Sequence, residues 1–421
     1  MSTQPVRGTR DLLGDDYAKC SYLNRVAFDI LAAYGYQGIE TPIFEHTSLF
    51  QRGLGETSDV VGKEMYTFAD RGGDSLTLRP EGTAPVTRAI ISAGLTQTLP
   101  QKLFYSGPMF RYERPQKGRY RQFYQLGVEY IGSAHPLADV ECIALADHLL
   151  KAWGISDYQL HLNTLGDLES RQNYRQALVD YFGRYKNDLS PDSQIRLEKN
   201  PLRILDSKDA NDQVLCQDAP LFDEYLTEDS RHFFDQVQNG LVTLGIDFTR
   251  NQKLVRGLDY YCHTAFEFKT NSLGAQDAIL AGGRYDGLMQ QLGGPVVPAV
   301  GWACGLDRLA LMLTDFKTPD HLKIALIAAE EGLEPISLKF AQQLRHVCVP
   351  CEVFLKGDLS KRLKAADKAG CQVAVLLRPE EYQSNQVKIR YLQQDFSPAG
   401  DKETIVSISD LVPHLLSLKK A

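Results

Sequence analysis

The sequence contains no apolar run of about 18 residues, which excludes an ordinary membrane-spanning helix. Met1 to Arg10 offers no apolar core for a secretory signal, so a cytoplasmic protein is expected. There is no G-x-x-x-x-G-K-[ST] loop, which weighs against the commonest ATPase fold. Cysteine is sparse, eight residues scattered along 421, a usage that suits a reducing compartment and not a disulfide scaffold. One C-x-x-C is present, Cys348-Val349-Pro350-Cys351. It lacks both the second ligand pair of a zinc site and the thioredoxin-like setting of a redox motif, so the two are read as buried thiols and no metal site is expected. Positive charge is also short: 46 Lys and Arg against 53 Asp and Glu leave a net charge of −7. That sign does not exclude a nucleic-acid partner, because a polyanion needs only a local basic surface. Residues 323–421 carry 14 basic against 12 acidic residues, a mildly basic tail on an acidic body.

What is present is ordinary for a soluble enzyme, with 43% hydrophobic and 24% charged residues. The length is too great for one core, so two or three domains are expected. In the last hundred residues, strands at Lys323–Ala328, Cys351–Leu355 and Cys371–Leu377 alternate with helices at Pro335–His346 and Ser360–Lys368, the latter closed by Gly370. This spacing predicts a small α/β domain over residues 323–421, joined near Lys317 to His321. The body, residues 1–320, reads differently. Strands at Gln101–Pro108, Phe123–Gly132, Gln159–Leu165 and Thr264–Thr270 lack regular intervening helices, which predicts an antiparallel sheet and an α+β class. Between about Leu168 and Phe248 the pattern turns helical and charged, broken at Pro191 and Pro201, and is read as a helical insertion.

The densest chemical signal is Phe110-Arg111-Tyr112-Glu113-Arg114-Pro115, followed by Gly118-Arg119-Tyr120-Arg121-Gln122-Phe123. Arginines interleaved with aromatics on a strand–loop–strand frame suit a polyphosphate, which guanidinium binds with planar bidentate hydrogen bonds, and Phe123 offers a face for a purine. A surface hairpin is the competing reading. Gly301-Trp302-Ala303-Cys304-Gly305-Leu306-Asp307-Arg308-Leu309 places a Gly-rich strand before a helix carrying Arg308, and such glycines permit close backbone approach to a ligand. Gly38-Ile39-Glu40-Thr41-Pro42 follows a long amphipathic helix, about Ala18 to Gly35. In a strand, Gln125, Gly127 and Glu129 project to one face, leaving a glycine gap between an amide and a carboxylate. A structural ion-pair role is the alternative for Glu129.

In this order and spacing the three segments resemble motifs 1, 2 and 3 of class II aminoacyl-tRNA synthetases. Leu254-Val255-Arg256-Gly257-Leu258-Asp259-Tyr260-Tyr261 and Ala281-Gly282-Gly283-Arg284-Tyr285-Asp286-Gly287-Leu288 resemble the two histidine signatures of the histidyl-tRNA synthetase family, bacterial type. Leu78-Arg79-Pro80-Glu81-Gly82-Thr83 and Gln122 to Glu129 match that family too, and the resemblance runs from Pro5 to the tail. It implies an antiparallel-sheet catalytic domain, an anticodon-binding tail, a homodimer through motif 1, and activation of L-histidine with ATP and Mg2+ before transfer to the 3′ end of histidine tRNA. By resemblance, Glu81, Thr83 and Gln125 hold the α-ammonium, Glu129 and Tyr261 read the imidazole, and Tyr260 and Tyr285 belong to the same pocket. Arg111 and Arg256 are the catalytic pair at the substrate carboxylate and α-phosphate. Arg111, Glu113, Arg119, Phe123 and Arg308 bind ATP, and Arg114, Gln116 and Lys117 meet the tRNA acceptor end. Tyr112 and Tyr124 stand where many relatives carry His. A catalytically silent paralogue that regulates an ATP phosphoribosyltransferase usually lacks the tail and parts of the Arg-bearing signatures, and both are present here. Synthetases for threonine or proline share motifs 2 and 3 but are not expected to carry the two histidine signatures.

Overall fold

Alternation of apolar and polar residues along Gln101–Phe110 buries Leu103, Tyr105 and Met109 on one face of a strand, and its neighbours repeat the pattern. The computed structural model describes residues 3–55, 58, 60–205, 207–254, 260–273, 278–314, 316, 322–398 and 400–418. It divides into two units, Met1–Phe316 and Lys317–Ala421. The predicted junction at Lys317 to His321 lies outside the described residues.

The first unit is built on one large sheet. Gln101–Phe110, Gln122–Ile131, Ala299–Gly305, Ala278–Arg284, Cys262–Lys269 and Gln159–Thr164 follow one another across it, all antiparallel. Short parallel strands, Gln37–Gly38 and Thr249–Arg250, close its two edges. The period-2 rule then sorts side chains into two cores. On one face Leu126, Val128, Val300, Trp302 and Phe266 meet the helices Gly14–Ala33, Pro136–Ala152 and Glu228–Thr243. On the other, Leu103, Tyr105, Ile131 and Ala265 meet the helix Thr83–Ser92 together with Tyr260, Tyr261 and Tyr285. Gln125, Gly127 and Glu129 alternate with Leu126 and Val128, so they face this second layer.

A small sheet of Phe44–His46, Ser75–Leu78 and Tyr66–Ala69, absent from the sequence reading, follows the motif 1 segment. The helical insertion has its own core around Tyr174, Leu178, Phe182 and Phe222. Its last helix, Glu228–Thr243, instead sends Phe234, Val237 and Leu241 into the main core. Pro191 and Pro201 start helical turns here, each at a first position where no N–H is needed, with Ser190 capping the first of them.

The second unit contains the predicted strands Ile324–Ala328, Cys351–Val353 and Val373–Leu377 in parallel pairing, with helices Glu334–His346 and Leu359–Lys368. Gly370 takes a φ of 75°, the left-handed stop expected there. Two antiparallel strands, Gln386–Tyr391 and Glu403–Ser407, extend the sheet beyond the sequence reading. The reading of Cys348 and Cys351 as buried thiols needs correction. Cys348 is exposed on a turn at φ 55°, and Cys351 is only half-buried, because the turn between helix and strand carries the pair to the surface.

Candidate active site

A cavity of about 490 Å³ opens on the second face of the large sheet. Behind two of its lining residues, Tyr285 and Gly301, stands Glu129, 1% exposed, whose Oε2 accepts the Tyr285 hydroxyl. Its Oε1 and the buried Gln125 Oε1 have no hydrogen-bond partner among the described residues. Two buried polar oxygens so placed are costly unless a ligand supplies hydrogen-bond partners. Burial pushes the Glu129 carboxyl up to about 8, against the downward pull of the Tyr285 hydrogen bond and of the neighbouring Thr83 hydroxyl. Burial likewise raises Tyr285, Tyr260 and Tyr105 well above the usual phenol range. This end of the cavity is therefore lined by un-ionised phenols, with a carboxyl behind them that holds its proton up to about pH 8.

The strand register explains how a carboxylate fits there. Gly301 pairs with Glu129, Tyr105 and Ala303 with Gly127, and Gly107 and Gly305 with Gln125. A Cβ at Gly301 would overlap the Glu129 carboxylate, and one at Gly127 or Gly82 would overlap the Tyr105 ring. This corrects the sequence reading of both motifs. The gap at Gly127 is filled by Tyr105, and Gly301 makes room for a side chain of the site itself, because the neighbouring strands project large residues across these positions.

Glu81 is buried at the start of the Thr83–Ser92 helix, where its oxygens accept the N–H groups of Thr83 and Ala84 at 2.7 and 2.9 Å. Burial raises its pKa while these bonds oppose the rise. Thr83, Tyr260 and Tyr261 line the same cavity. Arg256, with Val255 and Gly257 to Asp259, lies outside the described residues.

The other end is basic. Arg111 lines the cavity; its Nε donates to Pro80 O at 2.8 Å, its Nη1 stands 3.9 Å from Glu113 Oε1, and its guanidinium lies 5.3 Å from the Phe123 ring centre. Burial lowers its pKa, as it does that of Arg119. Arg119 pairs with Glu113, and Arg308 and Phe123 complete this wall. Gln116 and Lys117 sit at the mouth, on a turn closed by Gln116–Arg119 backbone bonds, while Arg114 is exposed and outside the cavity lining. Gly118, at φ 73°, seats the turn against Leu311 and Arg308.

One functional contact escaped the sequence reading. Asp307, 4% exposed, accepts the Tyr124 N–H at 2.8 Å and Arg10 Nη2 at 2.7 Å. It thereby pins the helix Leu306–Met312, the strand bearing Phe123 and the N-terminal segment together. Its signal was its place beside Arg308, but a carboxylate next to an arginine reads as a solvated pair until the strand register is known.

The model of the family described as histidyl-tRNA synthetase matches residues 8–309. A protein of Gluconobacter oxydans named histidine–tRNA ligase is 50% identical over 409 residues, 96% of this chain and 98% of that one. One of Rhodospirillum rubrum with the same name is 51% identical over 403 residues, 96% of each chain. The crystal structure of apo S. aureus histidyl-tRNA synthetase superimposes with a TM-score of 0.83 at 33% identity, covering 99% of this chain and all of that one.

Proposed function

The chain belongs to the histidyl-tRNA synthetase family, and from that premise we infer that it activates L-histidine with ATP and transfers it to histidine tRNA, as a class II histidine–tRNA ligase. The observation that carries the reading is the polarity of this cavity. Buried oxygens without a protein partner, on Gln125 in the lining and on Glu129 behind Tyr285, mark one end, and Arg111, Arg119 and Arg308 line the other. An imidazole brings N–H donors to the first, and a triphosphate brings negative charge to the second.

The substrate carboxylate is ionised near pH 7, so its attack on the α-phosphorus needs no strong base. The side chains align reactants and neutralise charge that develops on phosphate oxygens as pyrophosphate leaves. Arg111 serves the carboxylate and α-phosphate, and by family resemblance Arg256 is its counterpart. Phe123 offers its ring to adenine. Arg119 and Arg308 hold the terminal phosphates, and for Arg119 this means exchanging its Glu113 partner for ATP. In the amino-acid pocket, Glu81, Thr83 and Gln125 meet the α-ammonium, while Glu129, Tyr261 and Tyr285 meet the ring. Arg114, Gln116 and Lys117 are the contacts for the tRNA acceptor end.

The cavity fits magnesium only as an ion carried on ATP. Its carboxylates are engaged, Glu113 with Arg119, Asp307 with Arg10 and the Tyr124 N–H, and Glu81 with the helix start. Among the described residues no group of His, Cys, Asp and Glu could hold a metal by itself. Carried on ATP, magnesium would supply charge neutralisation on the phosphates beside that from Arg119 and Arg308, with Arg111 serving the α-phosphate.

A homodimer and a cytoplasmic location complete the reading. The dimer rests on family resemblance and on the small sheet after motif 1, where Phe44 and Phe68 share one face at 52% and 44% exposure. The cytoplasmic location is consistent with the finding that, among the described residues, no helix is long and apolar enough to cross a membrane. ATP–pyrophosphate exchange measured with each of the twenty amino acids tests reaction and substrate together. Exchange that depends on histidine is expected, and exchange driven by another amino acid overturns the reading.

A further inference from the structure

The segment that carries Tyr261 is held from behind by the helical insertion. Arg171, in the first turns of the helix Leu168–Gly183, donates Nη1 to the Tyr261 carbonyl at 2.8 Å across 90 residues of sequence. Two residues on, the His263 N–H donates to Gly166 O at 2.8 Å, and His263 O accepts the Leu165 N–H at 2.6 Å. His263 holds a left-handed φ of 42°, and its ring stacks on Phe233 of the returning helix, centroids 4.6 Å apart. Both limbs of the insertion, outgoing and returning, thus grip residues 261–263.

The position of Arg171 is itself locked. Asp167 caps the outgoing helix by accepting the Ser170 N–H at 2.7 Å. Thr227, which caps the returning helix, donates its hydroxyl to Asp167 at 2.6 Å and its N–H to Ser170 Oγ at 2.9 Å. Ser230 Oγ accepts the Asp167 N–H at 3.0 Å. Two helix starts that cap each other leave the limbs little freedom to slide, so the Arg171 guanidinium arrives at Tyr261 O from a fixed base.

We propose that Arg171 is a positioning residue for amino-acid recognition, through which the insertion sets the Tyr261 backbone and hence the phenol that reads the substrate ring. The proposal rests on the histidine-activating reading above. Arg171 touches no reacting atom and does not line the cavity. Its effect therefore falls on amino-acid binding and spares the nucleotide end, where Arg111, Arg119 and Arg308 act.

The test is tRNA-free ATP–pyrophosphate exchange with the full chain, titrating histidine and ATP separately. Arg171→Ala raises the histidine KM about tenfold, the scale of one hydrogen bond from a charged donor, and leaves the ATP KM within twofold. Arg171→Lys, which keeps a cationic donor, recovers part of the loss. Arg175→Ala, one turn further on an exposed face, removes the same charge without the Tyr261 contact and leaves the histidine KM unchanged. A histidine KM within twofold of wild type in Arg171→Ala overturns the proposal, as does a parallel rise in both KM values. If circular dichroism shows that Arg171→Ala does not fold, Arg171→Gln decides by the same two outcomes. Wild-type exchange that ignores histidine sinks the functional reading, and this proposal with it, in an arm separate from the variants.

Discussion

Glu129 concentrates the conflict between stability and function. Its carboxyl ordinarily titrates at 4.5, and burial pushes it up to about 8 in the folded protein. Between those values the folded state holds a proton that the unfolded state has lost, so stability falls as pH rises through the window and levels above it. Glu129→Gln removes that titration and keeps the shape. In urea unfolding, the variant is expected to gain on the wild type steadily from about pH 4.5 to 8. It should also use histidine poorly while its ATP KM stays nearly unchanged, since a site built for hydrogen bonds strongly rejects a mismatched partner. Equal pH slopes for the two proteins would show that Glu129 titrates like an ordinary carboxylate. Arg256 is tested by rate instead. Arg256→His should lower adenylation by roughly two to three decades, the scale of one lost transition-state contact, with little change in histidine KM. A rate within threefold of wild type would remove it from the mechanism.

Among the elements, the one that couples motif 2 to motif 3 is the start of the helix Leu306–Met312. Asp307→Asn loses its ion pair with Arg10 and weakens its hold on the Tyr124 N–H. Because Tyr124 adjoins Phe123 and Asp307 adjoins Arg308, the loss should fall on ATP, raising its KM about tenfold while the histidine KM moves little. An unchanged ATP KM would mean that the bridge is structural only. This bridge also marks where sequence reading stops. The body strands were legible because each alternates with period 2 against one buried face, and the tail because strands and helices alternate at βαβ spacing. The small sheet after motif 1 was not, since Phe44–His46 and Tyr66–Ala69 are too short and too exposed to alternate clearly. Glu129, Gln125 and the arginines could be named from sequence, and one cavity gathers most of them. What Gly127 and Gly301 make room for could not be read, because only cross-strand register tells which side chain fills the space. The exposure of Cys348 depends in the same way on a left-handed turn that composition does not encode.

At the scale of the whole molecule, chemistry and RNA recognition are proposed to divide between the two units. The cavity lies wholly in the first, and the second carries none of the residues proposed for adenylation. The second unit has its own buried core, centred on Ile324, Leu326, Val375 and Ile389, so removing it need not unfold the first. A chain ending at Phe316 should therefore retain much of the histidine-dependent pyrophosphate exchange. It should lose most tRNA charging, since phosphate and base contacts from the mildly basic tail would be gone. Wild-type charging should also fall steeply as salt rises, while exchange, which involves no polyanion, falls less. Circular dichroism and sedimentation must accompany the assay, because an exposed Phe44 and Phe68 face makes the oligomeric state part of the comparison. Phe44→Lys in the full chain supplies that control. If a second copy covers this face, the substitution shifts sedimentation toward a single chain, and its exchange activity measures what dimer loss alone costs. A truncated chain that stays folded, sediments like the wild-type assembly and charges tRNA as well as the full protein would refute the anticodon role of the tail. Binding would then have to come from the first unit, where Gln116 and Lys117 line the cavity and Arg114 is exposed two residues before Gln116.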